Sequence, residues 1–417
     1  MRPMISRHEP ADVNPNFPTR IAFAEAEAIV RDIAAAHRLP IERVPTVRAA
    51  GRVLAEDVVA AIALPSFDNS AMDGYAVRAA DTSMPSASLR LIGEQFACAP
   101  QGFRVGLGEC VRITTGAPMP EGADAVVMKE NTRIDGERIE LATAIARDAH
   151  VRHAGEDVAI GDLLLHSGTR LTPVQASLAA AVGFAELPVA RRPTVAVFTT
   201  GDELRPPGQP LEPGTIYDSN RTLLMAMLVA EGLEPFAWPI LPDDPDRMRA
   251  MLRDAGNAFD VVITCGGVSA GEKDHLPALI GELGRIHCWK VLMRPGMPLL
   301  FGSVGQAQVL ALPGNPVSVL ATLLTFGRQL LRGLQGDAAT LPRFAARLSM
   351  PIDKTHDRRE FQRGRLDFGD DGMLRVAPHP ATASHRLRGA ADSDCLIVLP
   401  EGPQELPVDA VVEVLRY

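Results

Sequence analysis

Alanine, isoleucine and valine recur at helical spacing from Phe23 to Ala36, and this apolar stripe predicts a helix. A second helical stretch follows Thr172-Pro173, which combines an N-cap hydroxyl with a proline at the first helical position. Between them, from about Val59 to His150, short apolar runs alternate with turn residues. Leu89 to Gly93, Cys110 to Ile113, Ala125 to Met128 and Arg138 to Leu141 read as strands. The pattern therefore predicts a β-rich insertion that splits a mostly helical region.

From Pro193 onward the pattern changes again. Buried-strand runs are expected at Thr194 to Phe198, Phe236 to Leu241, Asp260 to Thr264, Ile286 to Met293 and Gln308 to Leu312, with helical segments between several of them. Strands alternating with helices predict a doubly wound α/β domain with a parallel sheet. After about Pro342 only short strand candidates remain, at Glu360 to Phe368, Leu374 to Ala377, Leu396 to Leu399 and Ala410 to Leu415, so the tail reads as a small all-β domain. Residues before about Asn16 read as a disordered leader.

A chain of 417 residues with 46% hydrophobic side chains can form several separate cores, and 34 prolines with 35 glycines imply many sharp turns. Only two Trp and three Tyr are present, the net charge is −9 and no basic block occurs, which argues against nucleic-acid binding. An anionic ligand would need a local pocket of backbone N–H groups and a few cations. The five cysteines form no C-x-x-C pair and read as reduced thiols of a cytoplasmic protein. The uncharged stretch Val309 to Gly327 is broken by Pro313-Gly314-Asn315-Pro316 and reads as strand, loop and helix start, so no membrane span is expected.

In an open parallel sheet, ligands bind beyond the carboxyl ends of the strands. The loops that follow the expected strands are TTGDEL (199–204), the pair Asp243-Asp244, CGGVSAGEKD (265–274), RPGMP (294–298) and PGNPVS (313–318). Gly266-Gly267 and Gly314-Asn315 can bring backbone N–H groups close to an anion at a helix start, with Ser269 and Ser318 as hydroxyl donors. Asp202, Glu203, Asp243, Asp244 and Asp274 would suit Mg²⁺, or they cap helices, the reading favoured for Asp244 and Asp246. Lys290 and Arg294 lie four apart and share a face if that segment is extended. The paired-histidine zinc motif, the G-x-S-x-G elbow, the P-loop and the G-x-G-x-x-G fingerprint are all absent.

PSFDNSAMDGYAV (65–77) resembles the signature of the molybdopterin molybdenumtransferases, the family of bacterial MoeA and the E domain of gephyrin. RITTGAPMPEGADAVV (112–127), VRHAGEDV (151–158), TTGDEL, IYDSN (216–220), GGVSAGEKD and LPGNPVS continue the resemblance in order along the chain. The resemblance implies a discontinuous helical domain (17–58 and 160–190), a β-rich lid (59–159), an α/β domain (191–335) and a C-terminal β-barrel (342–417). It further implies a homodimer with shared active sites, which inserts molybdate into adenylated molybdopterin and releases AMP with the help of Mg²⁺.

By the same resemblance Asp73, Asp157, Glu203, Asp243 and Asp274 are the catalytic carboxylates, the last three holding the metal. Thr115, Arg152, Ser219, Gly266, Gly267, Ser269, Lys290, Arg294, Pro298, Gly314, Asn315, Ser318, Arg358 and Ser384 are implied to bind substrate. One position departs from the family pattern: where K/R-P-G-K-P is common, this chain has Met297 in place of the second cation. Weaker molybdate affinity, compensation by Arg358 or Arg363, or a paralogue with another substrate would each account for it. The rival readings are a non-catalytic pterin-binding scaffold, a pterin adenylyltransferase and a tungstate-inserting variant.

Overall fold

The computed structural model describes residues 17–84, 87–269, 274–337 and 343–417; the expected leader lies outside them. The chain divides into two compact units, Met1–Glu42 with Ala190–Tyr417, and Arg43–Val189.

The first unit is built on a seven-stranded sheet. Its strands, numbered in chain order, are β1 (Thr19–Ile21), β2 (Val195–Thr199), β3 (Phe236–Ala237), β4 (Val261–Cys265), β5 (Gly284–Val291), β6 (Leu300–Val304) and β7 (Ala307–Leu312), arranged β1-β5-β6-β7-β4-β2-β3. Every residue of β2, β4 and β7 is buried, as expected of strands covered on both faces. Alternation sends Val195 and Val197 into one core and Ala196 and Phe198 into the other.

Three expectations need correction. The sheet is mixed, because β6 runs antiparallel to both β5 and β7; only Gly305 and Gln306 separate β6 from β7, and so short a link makes a hairpin. The strand expected over Phe236 to Leu241 stops at Ala237, close to Pro239, which has no N–H for the ladder. The expected Ile286 to Met293 strand is cut at Val291, and Met293–Arg294 pairs instead with the C-terminal barrel.

Helix α1 (Phe23–Ala36) begins and ends where its periodicity predicts, but its buried face (Phe23, Ala26, Val30, Ala34) packs in the same core as the sheet. The segment expected to be a single helical domain is therefore divided between the two units. In the Arg43–Val189 unit, α2 (Pro173–Ala181) is the only α-helix among the described residues, started by a Thr172/Gln175 capping box. The rest of that unit is β-rich. Its largest sheet has six strands in the order Ala125–Met128, Gly74–Val77, Glu109–Ile113, Ser88–Gln95, Arg138–Leu141 and Thr132–Asp135.

Helices α3 (Ser219–Ala230), α4 (Pro245–Ala258), α5 (Leu276–Leu283) and α6 (Pro316–Thr322) complete the α/β part. Beyond it, Arg359–Phe368 pairs with both Leu374–Pro378 and Cys395–Leu399, which closes a five-stranded barrel with Phe344–Leu348 and Val411–Arg416. Leu374–Pro378 covers only residues 364–368 of the long strand, and Met293–Arg294 pairs in parallel with Arg359 and Glu360. This pairing places the RPGMP loop of the α/β part against the barrel. No helix among the described residues is long and apolar enough to cross a membrane.

Candidate functional site at the sheet edge

Two adjoining cavities, about 560 and 530 Å³, open at the carboxyl ends of β2, β4 and β7 and share Gly266, Gly267, Asp274, Gly314, Asn315 and His385. The first continues past Ser269, Arg294, Met297, Pro298 and Ser318 to Arg358 and Ser384 of the barrel. The second continues past Glu203, Asp243 and Ser219. The residues of this unit that the resemblance implies, Lys290 apart, thus line one groove, whereas Asp202 and Asp244 line neither cavity. Residues 270–273 of the CGGVSAGEKD loop lie outside the described residues.

The two glycine loops approach each other closely. Gly266 has φ +96°, and a Cβ there would lie 2.5 Å from Thr200 Oγ1, so both the backbone and the space require glycine. The amides of Gly267, Ser269, Gly314 and Asn315 have no acceptor among the described residues. Gly267 is half-buried and Ser269, Gly314 and Asn315 are exposed, so these amides face the solvent of the groove and are open to an anion there. The first turn of α6 does not contribute as expected. Pro316 has no N–H, Val317 N donates to Ser384 O (3.1 Å) and Ser318 N to Asn315 O (2.9 Å). Ser384 therefore ties the barrel segment to α6 through its carbonyl.

Among the cations, Arg358 Nη1 approaches Met297 Sδ at 3.7 Å and has no carboxylate partner among the described residues. The guanidinium thus stands beside the thioether that replaces the family's second cation. Arg363, the other candidate for compensation, is buried and donates to the carbonyls of Ala381, Ala383 and Arg386; burial lowers its pKa. Its donors are committed to shaping the loop that carries Ser384. Lys290 is not part of the groove. It has φ +65°, and its amine lies 4.4 Å from the centroid of the Trp289 ring. The expected shared face with Arg294 fails because the backbone leaves β5 at this point and Arg294 joins a different sheet.

Glu203, Asp243 and Asp274 line the second cavity. Asp202 Oδ1 accepts from Asp243 N (3.3 Å), and Asp244 caps α4 through the amides of Asp246 and Arg247, as expected. Asp246 instead stands in the first turn of α4, paired with Arg249. No group of three or more His, Cys, Asp or Glu converges on one metal position among the described residues. The donor chemistry still suits Mg²⁺, which keeps several waters and needs only one or two carboxylates beside phosphate oxygens.

Sequence reasoning missed the floor of this cavity. Buried Asp218 accepts from Thr199 Oγ1 (2.6 Å) and Arg221 Nε (3.1 Å), and Asn220 Nδ2 donates to Gly314 O (2.7 Å), tying α3 to the glycine loop. The D-S-N run was visible, but nothing in it announced which of its side chains would be buried. Burial also pushes the Cys265 thiol up to about 12, so the end of β4 offers no thiolate.

In the Arg43–Val189 unit the predicted residues fall into two groups. Asp73 Oδ1 accepts from Thr115 N (2.9 Å) and Thr115 Oγ1 (3.0 Å), and Lys129 lies 3.6 Å from Oδ2. The Thr115 amide first, then its hydroxyl, hold the Asp73 carboxyl below its ordinary range. A Cβ on the next residue, Gly74, would lie 1.9 Å from Val127 O, so the strand after Asp73 can pair this closely only with glycine there. Arg152 and Asp157 instead line a shallow depression with Leu64, Pro65, Asn69 and Glu156.

Three family descriptions match the chain: "MoeA N-terminal region (domain I and II)" over residues 21–183, "Probable molybdopterin binding domain" over 196–333, and "MoeA C-terminal region (domain IV)" over 345–417. A molybdopterin molybdenumtransferase of Haemophilus influenzae is 39% identical over 84% of this chain and 87% of its own. Molybdopterin molybdenumtransferase 2 of Mycobacterium tuberculosis is 38% identical over 89% and 94%. A crystal structure of the molybdopterin biosynthesis MoeA protein of Pyrococcus horikoshii OT3 is similar with a TM-score of 0.81 at 28% identity, covering 95% of this chain and all of that one. With such identity over most of its length, the chain belongs to the molybdopterin molybdenumtransferase family, transferases of molybdenum cofactor biosynthesis.

Proposed function

We propose that this protein inserts molybdate into the dithiolene of adenylated molybdopterin and releases AMP. The observation that carries this reading is the division of the sheet-edge groove. Glu203 and Asp243 line one cavity, Arg294 and Arg358 line the other, and Asp274 with the amides of Gly267, Gly314 and Asn315 lies where the two meet. Release of AMP breaks a phosphoanhydride P–O bond and requires an oxygen nucleophile. A carboxylate from Glu203, Asp243 or Asp274 takes up its proton or orients it. The N–H groups offset charge on phosphate, while Arg294 and Arg358 offset charge on the oxyanion. One or two of these carboxylates would hold Mg²⁺, which would neutralise charge on the anhydride oxygens and leave another carboxylate for the proton.

By the family resemblance the enzyme is a cytoplasmic homodimer, with Asp73, Thr115, Arg152 and Asp157 serving a shared site. Mixing the impaired Asp73→Asn chain with the Glu203→Gln chain then gives more activity than either chain alone, because each mixed dimer holds one site with both residues intact. The scaffold reading rests on Met297, and Arg358 beside it weakens that reading. The deciding measurement is AMP release from adenylated molybdopterin and Mg²⁺, with and without molybdate. Release that requires molybdate supports insertion; tight binding without such release overturns it.

A further inference from the structure

Glu360 is an acid on the wall of a cavity suited to anions. It lines the same space as Arg294, Met297 and Arg358, and its side chain is only 8% exposed. A carboxylate withdrawn from water persists only when well paired, and Glu360 has two partners. His356 Nε2 lies 3.1 Å from Oε2, and Arg294 Nε lies 3.7 Å from Oε1. The arrangement follows from strand register. Arg294 stands directly opposite Glu360 where Met293–Arg294 joins the barrel strand, which makes them a cross-strand pair of opposite charge. The contact is made through Nε, and the terminal guanidinium nitrogens have no acceptor among the described residues.

We propose that Glu360, oriented by His356, is the positioning residue for Arg294. Its ion pair with the inner nitrogen, at 3.7 Å, orients the guanidinium and leaves the outer fork for the oxyanion. The inference rests on the molybdate-insertion reading and adds to it a residue of the barrel that sets oxyanion affinity without touching the oxyanion. Arginine suits this task where lysine does not, because only a guanidinium can be held through one nitrogen while presenting two others. With Met297 uncharged, Arg294 and Arg358 are the cations lining the Met297 end of the cavity beside Glu360, so the orientation of Arg294 matters more than it would beside a third charge.

The test uses the full chain and compares wild type with Glu360→Gln, Glu360→Asp and Arg294→Lys. Readouts are molybdate binding by equilibrium dialysis and the KM for molybdate in AMP release. Glu360→Gln is expected to weaken molybdate about tenfold, the scale of one charge-assisted hydrogen bond, while KM for the adenylated pterin stays within about twofold. Glu360→Asp restores most of the loss. Arg294→Lys keeps the charge, loses a similar amount, and shows no additional loss when combined with Glu360→Gln. Unchanged or tighter molybdate binding in Glu360→Gln overturns the proposal, as does full additivity with Arg294→Lys. Should Glu360→Gln fail to fold, Arg294→Lys decides: wild-type molybdate affinity there overturns the proposal as well. If wild type neither binds molybdate nor depends on it, the insertion reading itself has failed.

Discussion

The PSFDNSAMDGYAV segment and the loops at the sheet edge keep their polar groups in opposite states. In the first, the Asp73 carboxylate accepts two hydrogen bonds from Thr115 and faces Lys129. At the sheet edge, four backbone amides have no acceptor and Arg358 has no acid beside it among the described residues. Specificity of a motif and unspent binding capacity are therefore separate properties. The segment most recognisable in sequence is locally satisfied, while the loops that resemble ordinary Gly-rich turns carry the groups a ligand would complete.

The largest effect should come from the acidic end of the groove. Asp274→Asn, Glu203→Gln and Asp243→Asn are each expected to lower kcat/KM for molybdate-dependent AMP release by about a hundredfold or more, with melting temperatures near wild type. Asp73→Asn should cost about tenfold, since its carboxylate already has local partners. An Asp73→Asn loss as deep as that of Glu203→Gln would break the comparison. It would mean that exposure and local pairing do not reduce a carboxylate's share of the chemistry.

The cationic end gives the next effect. Arg358→Met should weaken molybdate about ten- to a hundredfold, because a charge-assisted bond to an oxyanion is lost. Adding Met297→Lys to that variant should recover most of the affinity, whereas Met297→Lys alone should gain little. Binding assays on the four proteins complete the cycle. Independent, additive effects would show that Arg358 does not compensate for Met297.

Acid should also separate the two units. Burial pushes His287 of β5 down to about 4, and its Nε2 is buried with no hydrogen-bond partner among the described residues. Its folded pKa lies below the unfolded value of 6.5, so the unfolded chain takes up the proton first as pH falls. Stability is lost as pH falls from about 6.5 toward 4. In the other unit, Asp68 and Asp73 have depressed pKa values, so the stability they contribute is lost only as pH falls through the lower carboxylate range. Denaturant melts at pH 7 and pH 5 should move the α/β transition and spare the other. His287→Phe, which keeps the ring packed against Phe301, should remove most of that shift.

The periodic elements were legible because their patterns are local. Helix α1 and the strand Ala125–Met128 have the bounds that their apolar spacing predicts, and Thr172-Pro173 marked the start of α2. Pairing partners were not legible. Nothing in Ile286 to Met293 announces that its last residue belongs to the barrel, because that depends on an edge more than sixty residues later in the chain. The sheet-edge site was readable as a set of loops, yet Lys290 lines neither cavity and Asp218, Asn220 and Glu360 were passed over. Residue type shows that a side chain can bind; only packing shows whether its capacity is already used.

The smallest effect is the most direct probe of the Asp73 side of the comparison. Thr115→Val removes the hydroxyl bond to Asp73 but leaves the amide bond, which is the larger cause of its depressed pKa. The pKa of Asp73 should rise partway toward its ordinary value. At a given low pH a smaller fraction is then ionised, so the acid limb of the pH–rate profile moves upward. At neutral pH Asp73 stays ionised in both proteins, and kcat/KM should change by no more than about twofold. A large loss at neutral pH with an unmoved acid limb would mean that the Thr115 hydroxyl meets substrate itself. Thr115 would then belong with the unspent groups of the sheet edge, and the contrast between the two regions would hold for Asp73 alone.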